Sequence, residues 1–154
     1  MRIRLLKKQD ITEVAKLFVE SYAKEEKSRR WKQSYAEKYI HSVYRICKDL
    51  CFVAVENEKI IGVSLAVITP EFNKQVVNCK VLLVHPNFRR KKVGSKLLRK
   101  LCIKASNKYG IEEVESSIYT LTNFPIMWYE RIGFRTKKHY ESTKANIANV
   151  LKVV

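Results

Sequence analysis

The hydrophobic period of this chain changes abruptly between residues 84 and 93, and that change limits the folds open to it. Val76 to Val84 is a run rich in β-branched residues that ends at His85-Pro86. From Val93 onward, Leu97, Leu98, Leu101, Cys102 and Ala105 recur on one helical face until Gly110 stops the pattern. A strand that feeds a helix through a short loop belongs to α/β or α+β architecture. The connecting loop, Arg89-Arg90-Lys91-Lys92, is wholly basic.

The rest of the chain fits that frame. Residues 2–6 read as a first strand. Asp10 and Glu13 have capping-box spacing ahead of a helix whose apolar face is Val14, Leu17, Phe18 and Tyr22. A polar stretch, Lys24 to Gln33, precedes a second helix carrying Tyr35, Tyr39, Ile40, Val43, Tyr44 and Cys47. Cys51 to Val55 and Ile60 to Thr69 are strands of a hairpin turned by Glu56-Asn57-Glu58-Lys59. Val114 to Leu121 reads as a strand and Pro125 to Ile132 as a short helix with proline in its first turn. Phe134 to Tyr140 reads as a further strand, with Ile147 to Val153 as its returning partner. The expected fold is α/β (α+β), a mixed, largely antiparallel central sheet flanked by helices. No repeat or Gly/Ser/Pro-rich linker interrupts the chain, so residues 1–154 are expected to form one domain.

Composition narrows the functional classes. No apolar run approaches the roughly 20 residues of a membrane span, and the basic N-terminus lacks the apolar stretch of a signal peptide; a cytoplasmic protein is expected. Cys47, Cys51, Cys79 and Cys102 form no C-x-x-C pair, and neither they nor His41, His85 and His139 have zinc-site spacing. They read as reduced, mostly buried thiols, and no metal is expected. Lys and Arg exceed Asp and Glu by a formal +16, which favours anionic ligands whatever the fold.

That excess gains meaning at the strand–loop–helix junction. A helix N-terminus presents unpaired N–H groups and the positive end of the dipole. A glycine there lets backbone approach a pyrophosphate, and flanking cations add charge-assisted hydrogen bonds. The alternative is a solvated basic turn. Residues 84–98 resemble motif A of the GNAT superfamily of N-acetyltransferases, whose loop reads Arg/Gln-x-x-Gly-x-Gly/Ala after a strand ending near Val-x-Pro. Arg89, Lys92 and Gly94 stand at the fixed positions, preceded by Val84-His85-Pro86. In that family the loop amides hold the coenzyme A pyrophosphate, which implicates Arg89, Arg90, Lys91, Lys92, Val93, Gly94 and Ser95. The preceding strand, here Leu82, Leu83 and Val84, pairs with the pantetheine arm. Lys92 departs from the family's usual glycine; a position needing positive φ would make lysine strained.

Trp128-Tyr129-Glu130-Arg131-Ile132-Gly133-Phe134 is similar to the family's Tyr-x-x-x-Gly-Phe. The resemblance implies that Tyr129 protonates the departing thiolate, a role suited to a phenol of unperturbed pKa near 10. Taken alone, Tyr129 reads as a core residue and Gly133 as a helix cap. Asn123 resembles the family's pantetheine-binding asparagine, one residue nearer the tyrosine than usual; Thr122 holds the usual spacing, and helix capping is the alternative role.

The resemblance implies acetyl-coenzyme A as co-substrate and direct attack by an amine of a small molecule or protein. Backbone N–H groups near Leu82 to Val84 would polarise the thioester carbonyl. Glu20, Glu25, Glu26 and Glu115 are candidate bases. His85 reads as structural, and covalent catalysis through Cys79 or Cys102 as a minor alternative. Lys24 to Ser34, with Trp31, is expected to face the acceptor. Two other classes stay open: a basic nucleic-acid-associated module built on Arg29-Arg30-Trp31-Lys32, the loop, Lys96, Arg99, Lys100 and Lys104, or a non-catalytic acyl-CoA-binding member of the family. A monomer or homodimer suits any of these.

Overall fold

Strand pairing begins with the hairpins. In a computed structural model describing residues 1–23, 31–116 and 123–135, β1 (Arg2–Leu5), β2 (Cys51–Glu56), β3 (Lys59–Glu71) and β4 (Lys74–Val84) pair antiparallel in that order. The β2–β3 turn places Asn57 and Glu58 at φ 48° and 59°, the twist a tight hairpin requires. Among the described residues only β5 (Val114–Ser116) runs parallel, against Val77–Cys79 of β4. The expected mixed, largely antiparallel sheet is therefore present.

Helices cover both faces of this sheet. Val53, Val55, Val63, Leu65, Val67 and Val81 share one core with Val14, Leu17 and Phe18 of α1 (Ile11–Ala23) and with Ala36, Ile40 and Val43 of α2 (Gln33–Ile46). Alternate residues point to the other face, where Gly62 lies under Val93 and Leu97 of α3 (Val93–Tyr109). Burial on both faces explains why β2 reads as an unbroken apolar run. Two irregularities adjust the register: one falls between Ala54 and Val55, the other leaves Lys80 as the extra residue of β4 between the Leu65–Val81 and Ala66–Cys79 pairs.

The chain divides into two units, Met1–Ser117 and Ile118–Val154. The described part of the second is α4 (Asn123–Arg131) and the residues that close it. Among the described residues no helix is long and apolar enough to cross a membrane.

Several local expectations are corrected. Asp10 does not form a reciprocal box with Glu13. Its carboxylate accepts from the Lys7 N–H (2.7 Å) and from both terminal nitrogens of Arg4 (2.6 and 2.9 Å). Glu13 reaches instead to the N–H of Ile60 (2.8 Å). Each carboxylate thus answers a backbone donor left over at a strand end, a stronger demand than the helix's own first turn. The second helix begins at Gln33, so Ser34 is helical; Gln33 donates to the Thr12 carbonyl and to Glu37. Tyr35, expected on the apolar face, is 61% exposed. Helix α4 starts two residues before Pro125, which needs no amide hydrogen bond there. Phe134 and Arg135 are not in a strand. The remaining residues expected there, and the returning partner at Ile147 to Val153, lie outside the described residues.

Candidate active site

Strand β4 stops being strand at a proline. His85 donates its N–H to the Ile61 carbonyl (2.9 Å), and its Nδ1 accepts from the Asn87 N–H (3.2 Å). That bond caps the single 3-10 turn Pro86–Phe88. Four turn residues follow, and then α3.

Two of those four residues are left-handed. Arg90 has φ 63° and Lys92 has φ 61°, ψ 14°. Alternation of this kind turns successive amides toward one side, the geometry of an anion-binding nest. Lys92 is the N-cap of α3 and its side chain makes no capping bond; the first intrahelical bond is Lys96 N–H to Lys92 carbonyl (3.0 Å). The amides of Val93, Gly94 and Ser95 are therefore the orphan donors of the helix. A Cβ on Gly94 would meet only Val84 Cγ2, at 3.6 Å, an ordinary contact. Arg90, Lys91 and Lys92 are exposed around this concavity, with the Lys91 ammonium 5.1 Å from the Phe88 ring centre. Arg89 turns back and donates to the Val84 carbonyl (3.4 Å). This arrangement fits a pyrophosphate: amide donors, the positive helix end and long-armed cations converge.

Gly62 sets the height of that junction. A Cβ there would lie 3.1 Å from the Leu83 carbonyl oxygen, Leu97 Cδ1 and Val93 Cγ1 alike. Only glycine lets the first two turns of α3 settle this closely on β3 and β4. Sequence reasoning passed over Gly62; a glycine inside an otherwise apolar strand was the available signal.

Leu82, Leu83 and Val84 continue β4 past the described pairing with β5. The described pairing of β5 reaches Cys79, and the Lys80 bulge of β4 follows at once. Beyond it, β4 stays paired with β3 on one side; residues 117–122, which continue the chain from β5, lie outside the described residues. Glu115 stands opposite Asn78 on the β4–β5 ladder and accepts from its Nδ2 (3.3 Å). Asn78 Oδ1 is buried with no hydrogen-bond partner among the described residues. Of the other candidate bases, Glu20 is exposed on α1, and Glu25 and Glu26 lie outside the described residues.

The thiols are poor nucleophiles. Burial pushes Cys51 and Cys79 up to about 12 and raises Cys102 as well, so little thiolate exists near neutrality. No group of three metal-ligating side chains assembles among the described residues. Trp31, 38% exposed, meets Phe18 edge-on at 5.0 Å and lies 5.7 Å from Tyr39. It joins an aromatic cluster at the α1–α2 seam while keeping one side in solvent; Lys24 to Arg30 lie outside the described residues.

In the second unit, Tyr129 is buried, with Trp128 and Phe134 each edge-on at 4.9 Å. The Phe134 N–H donates to the Tyr129 carbonyl (3.0 Å), and Gly133 takes φ 101° to make that return. Asn123 is the first residue of α4; Thr122 lies outside the described residues.

Residues 47–136 match the acetyltransferase (GNAT) domain. No curated protein matches the sequence. Among solved structures, an integron cassette protein from the mobile metagenome of V. cholerae superposes with a TM-score of 0.79 at 19% identity, covering 99% of this chain and 98% of that one. An aminoglycoside N-acetyltransferase in complex with CoA gives 0.74 at 17%, over 94% and 93% of the two chains. A ribosomal-protein-alanine N-acetyltransferase from Brucella melitensis gives 0.69 at 21%, over 96% and 100%. With the domain match spanning more than half its length, this chain belongs to the GNAT family of acetyltransferases.

Proposed function

We propose that the protein transfers an acetyl group from acetyl-coenzyme A directly to an amine within a ternary complex. The observation that carries this is the β4–α3 junction, where two left-handed cationic residues and an uncapped helix N-terminus adjoin the C-terminal end of strand β4. Bound there, the coenzyme supplies an activated thioester. The amides of Val93, Gly94 and Ser95, with Arg89, Arg90, Lys91 and Lys92, hold its pyrophosphate. Leu82, Leu83 and Val84 pair with the pantetheine arm, and an N–H of this strand polarises the acetyl carbonyl.

The amine lone pair then attacks the carbonyl carbon. Glu115 takes the amine proton, directly or through one water, with Asn78 fixing one of its carboxylate oxygens. As the C–S bond breaks, the Tyr129 hydroxyl gives its proton to the leaving sulfur. Asn123 holds the pantetheine amide. The raised, buried thiols favour this direct route over a covalent acyl-cysteine.

The acceptor is an amine of a small molecule or protein. A net +16 slows the approach of polycations, so polycationic aminoglycosides are poor candidates unless the cleft is locally acidic. Mass-shift assay of acetyl transfer across amines, peptides and polyamines tests the activity. No product with any acceptor, from protein whose thermal midpoint acetyl-coenzyme A raises, would leave binding without catalysis; no thermal shift at millimolar ligand would remove the central claim.

A further inference from the structure

Helix α3 carries a lysine at every fourth position from its N-cap to its last turn: Lys92, Lys96, Lys100, Lys104 and Lys108, with Arg99 beside them. No Asp or Glu occurs between Glu71 and Glu112. Surface helices ordinarily alternate charge, because like charges at this spacing repel while opposite ones attract. The N-terminal rungs also oppose the positive end of the helix dipole.

The ladder has two parts. Its rungs turn slowly around the helix, so Lys104 becomes half-buried and Lys108, still exposed, comes round beside Asp49. There Lys108 pairs with Asp49, and Lys104 adds to the field that holds the Asp49 carboxyl below its usual range. Lys96, Arg99 and Lys100 remain on the exposed face with no ion-pair partner among the described residues. They lie beyond the helix's first three amides, the donors assigned to the pyrophosphate.

We infer that this face docks the sugar-phosphate backbone of an A-form RNA. Successive lysines rise about 6 Å along the helix. The ribose pucker of A-form strands draws neighbouring phosphates closer than in B-form DNA, toward that repeat. Long cations without an aromatic platform or an inserting element suit contact to phosphate rather than to bases. An anionic membrane fits less well. The apolar face of α3 (Val93, Leu97, Leu98, Leu101 and Ala105) is buried, leaving Ile103 as the helix's exposed large apolar side chain, whereas interfacial helices insert an apolar face. The inference does not depend on the acetyl-transfer reading.

The test uses the full chain and a fluorescein-labelled RNA duplex of about 16 base pairs, followed by anisotropy over a salt series. Three phosphate contacts predict a slope of log K against log salt near −3, at about −0.9 per contact. Lys96→Glu with Lys100→Glu should weaken binding more than tenfold at low salt and flatten the slope by about two. The same variant should keep or raise its thermal midpoint, because each introduced carboxylate would stand one helical turn from a remaining lysine, Lys92 or Lys104. It should also keep its thermal shift with coenzyme A. If charge reversal disturbs folding, the paired Gln variant reads the same effect with a smaller change. Persistence of RNA binding with saturating coenzyme A supports a separate site. Parental affinity in the variants, displacement by coenzyme A, or tighter binding to a matched DNA duplex or to anionic vesicles would each overturn the inference.

Discussion

Replacing Lys92 separates two contributions that coincide at the head of α3. Its φ of 61° is left-handed, a conformation that disfavours an L-residue by roughly 1–2 kcal/mol. Its ammonium stands one helical turn from Lys96 and at the positive dipole end, adding a few tenths of a kcal/mol from each source. Lys92→Ala removes the charge and keeps the strain; Lys92→Gly removes both. Glycine returns about 0.4–1 kcal/mol through the greater freedom of its unfolded chain. The expected net order of stability is glycine above alanine above lysine, with glycine leading alanine by about 0.5–1 kcal/mol. For a chain of this size that is a gap of roughly 1–4 °C in thermal midpoint, or a matching shift of the urea midpoint at constant m. Coenzyme A titrations on the same proteins read the ammonium: if it touches phosphate, both variants lose affinity by a similar factor, about fivefold for 1 kcal/mol. Equal midpoints for alanine and glycine would refute the strain argument, because the two differ there mainly in their tolerance of positive φ.

Four further outcomes follow from the same geometry. Gly94→Ala should leave coenzyme binding nearly intact, since its Cβ has room at 3.6 Å from Val84; Gly94→Glu should abolish the coenzyme-induced thermal shift by placing an anion against the pyrophosphate. Gly62→Ala should destabilise by about 1–3 kcal/mol, through simultaneous 3.1 Å contacts with backbone and two core side chains, and should also raise the coenzyme dissociation constant by lifting α3 from the sheet. Tyr129→Phe should lower kcat by about 10²-fold or more with little change in coenzyme affinity, under conditions where chemistry limits the rate; unchanged turnover would leave the ring as packing alone. For Asp10, burial raises the carboxyl, but the Arg4 and Lys7 hydrogen bonds outweigh it and hold it below its ordinary value. Its stabilisation is therefore present above the unfolded pKa near 3.9 and lost as pH falls through that value toward the folded one. Asp10→Asn should cost about 2 kcal/mol at pH 7 and flatten the fall of urea-measured stability below about pH 4.

Features set by neighbours in the chain were legible without the fold. The β2–β3 turn, the apolar face of α3 and its Gly110 cap each rest on a few consecutive residues whose chemistry is self-contained. The basic loop and Gly94 were legible for the same reason. Gly62 was not: its role comes from Val93 and Leu97, which approach only after β3, β4 and α3 have assembled. The Lys80 bulge was equally hidden, because nothing in Cys79-Lys80-Val81 records which β3 residue each will face. Asp10 and Glu13 show the opposite error. Their spacing matched a local motif, yet distant donors at Arg4 and Ile60 competed for both carboxylates and won.

The charge at the start of α3 ties stability to occupancy. In the free protein Arg90, Lys91, Lys92, Lys96, Arg99 and Lys100 crowd the positive end of a helix whose N-cap supplies no side-chain acceptor. Two of these residues also hold left-handed backbone. Hydrophobic burial beneath them, at Val93, Leu97 and Leu101, must outweigh that repulsion for the helix to stay seated. An anion at the junction removes the electrostatic opposition and leaves the packing unchanged, so its binding energy appears directly as folding stability. Phosphate or sulfate should then stabilise the free protein more than chloride at equal ionic strength. The comparison belongs at low millimolar salt, where exclusion of sulfate and phosphate from the protein surface adds little: general screening then acts alike for every salt, whereas a nest of amides favours the ion whose oxygens can accept several of them at once.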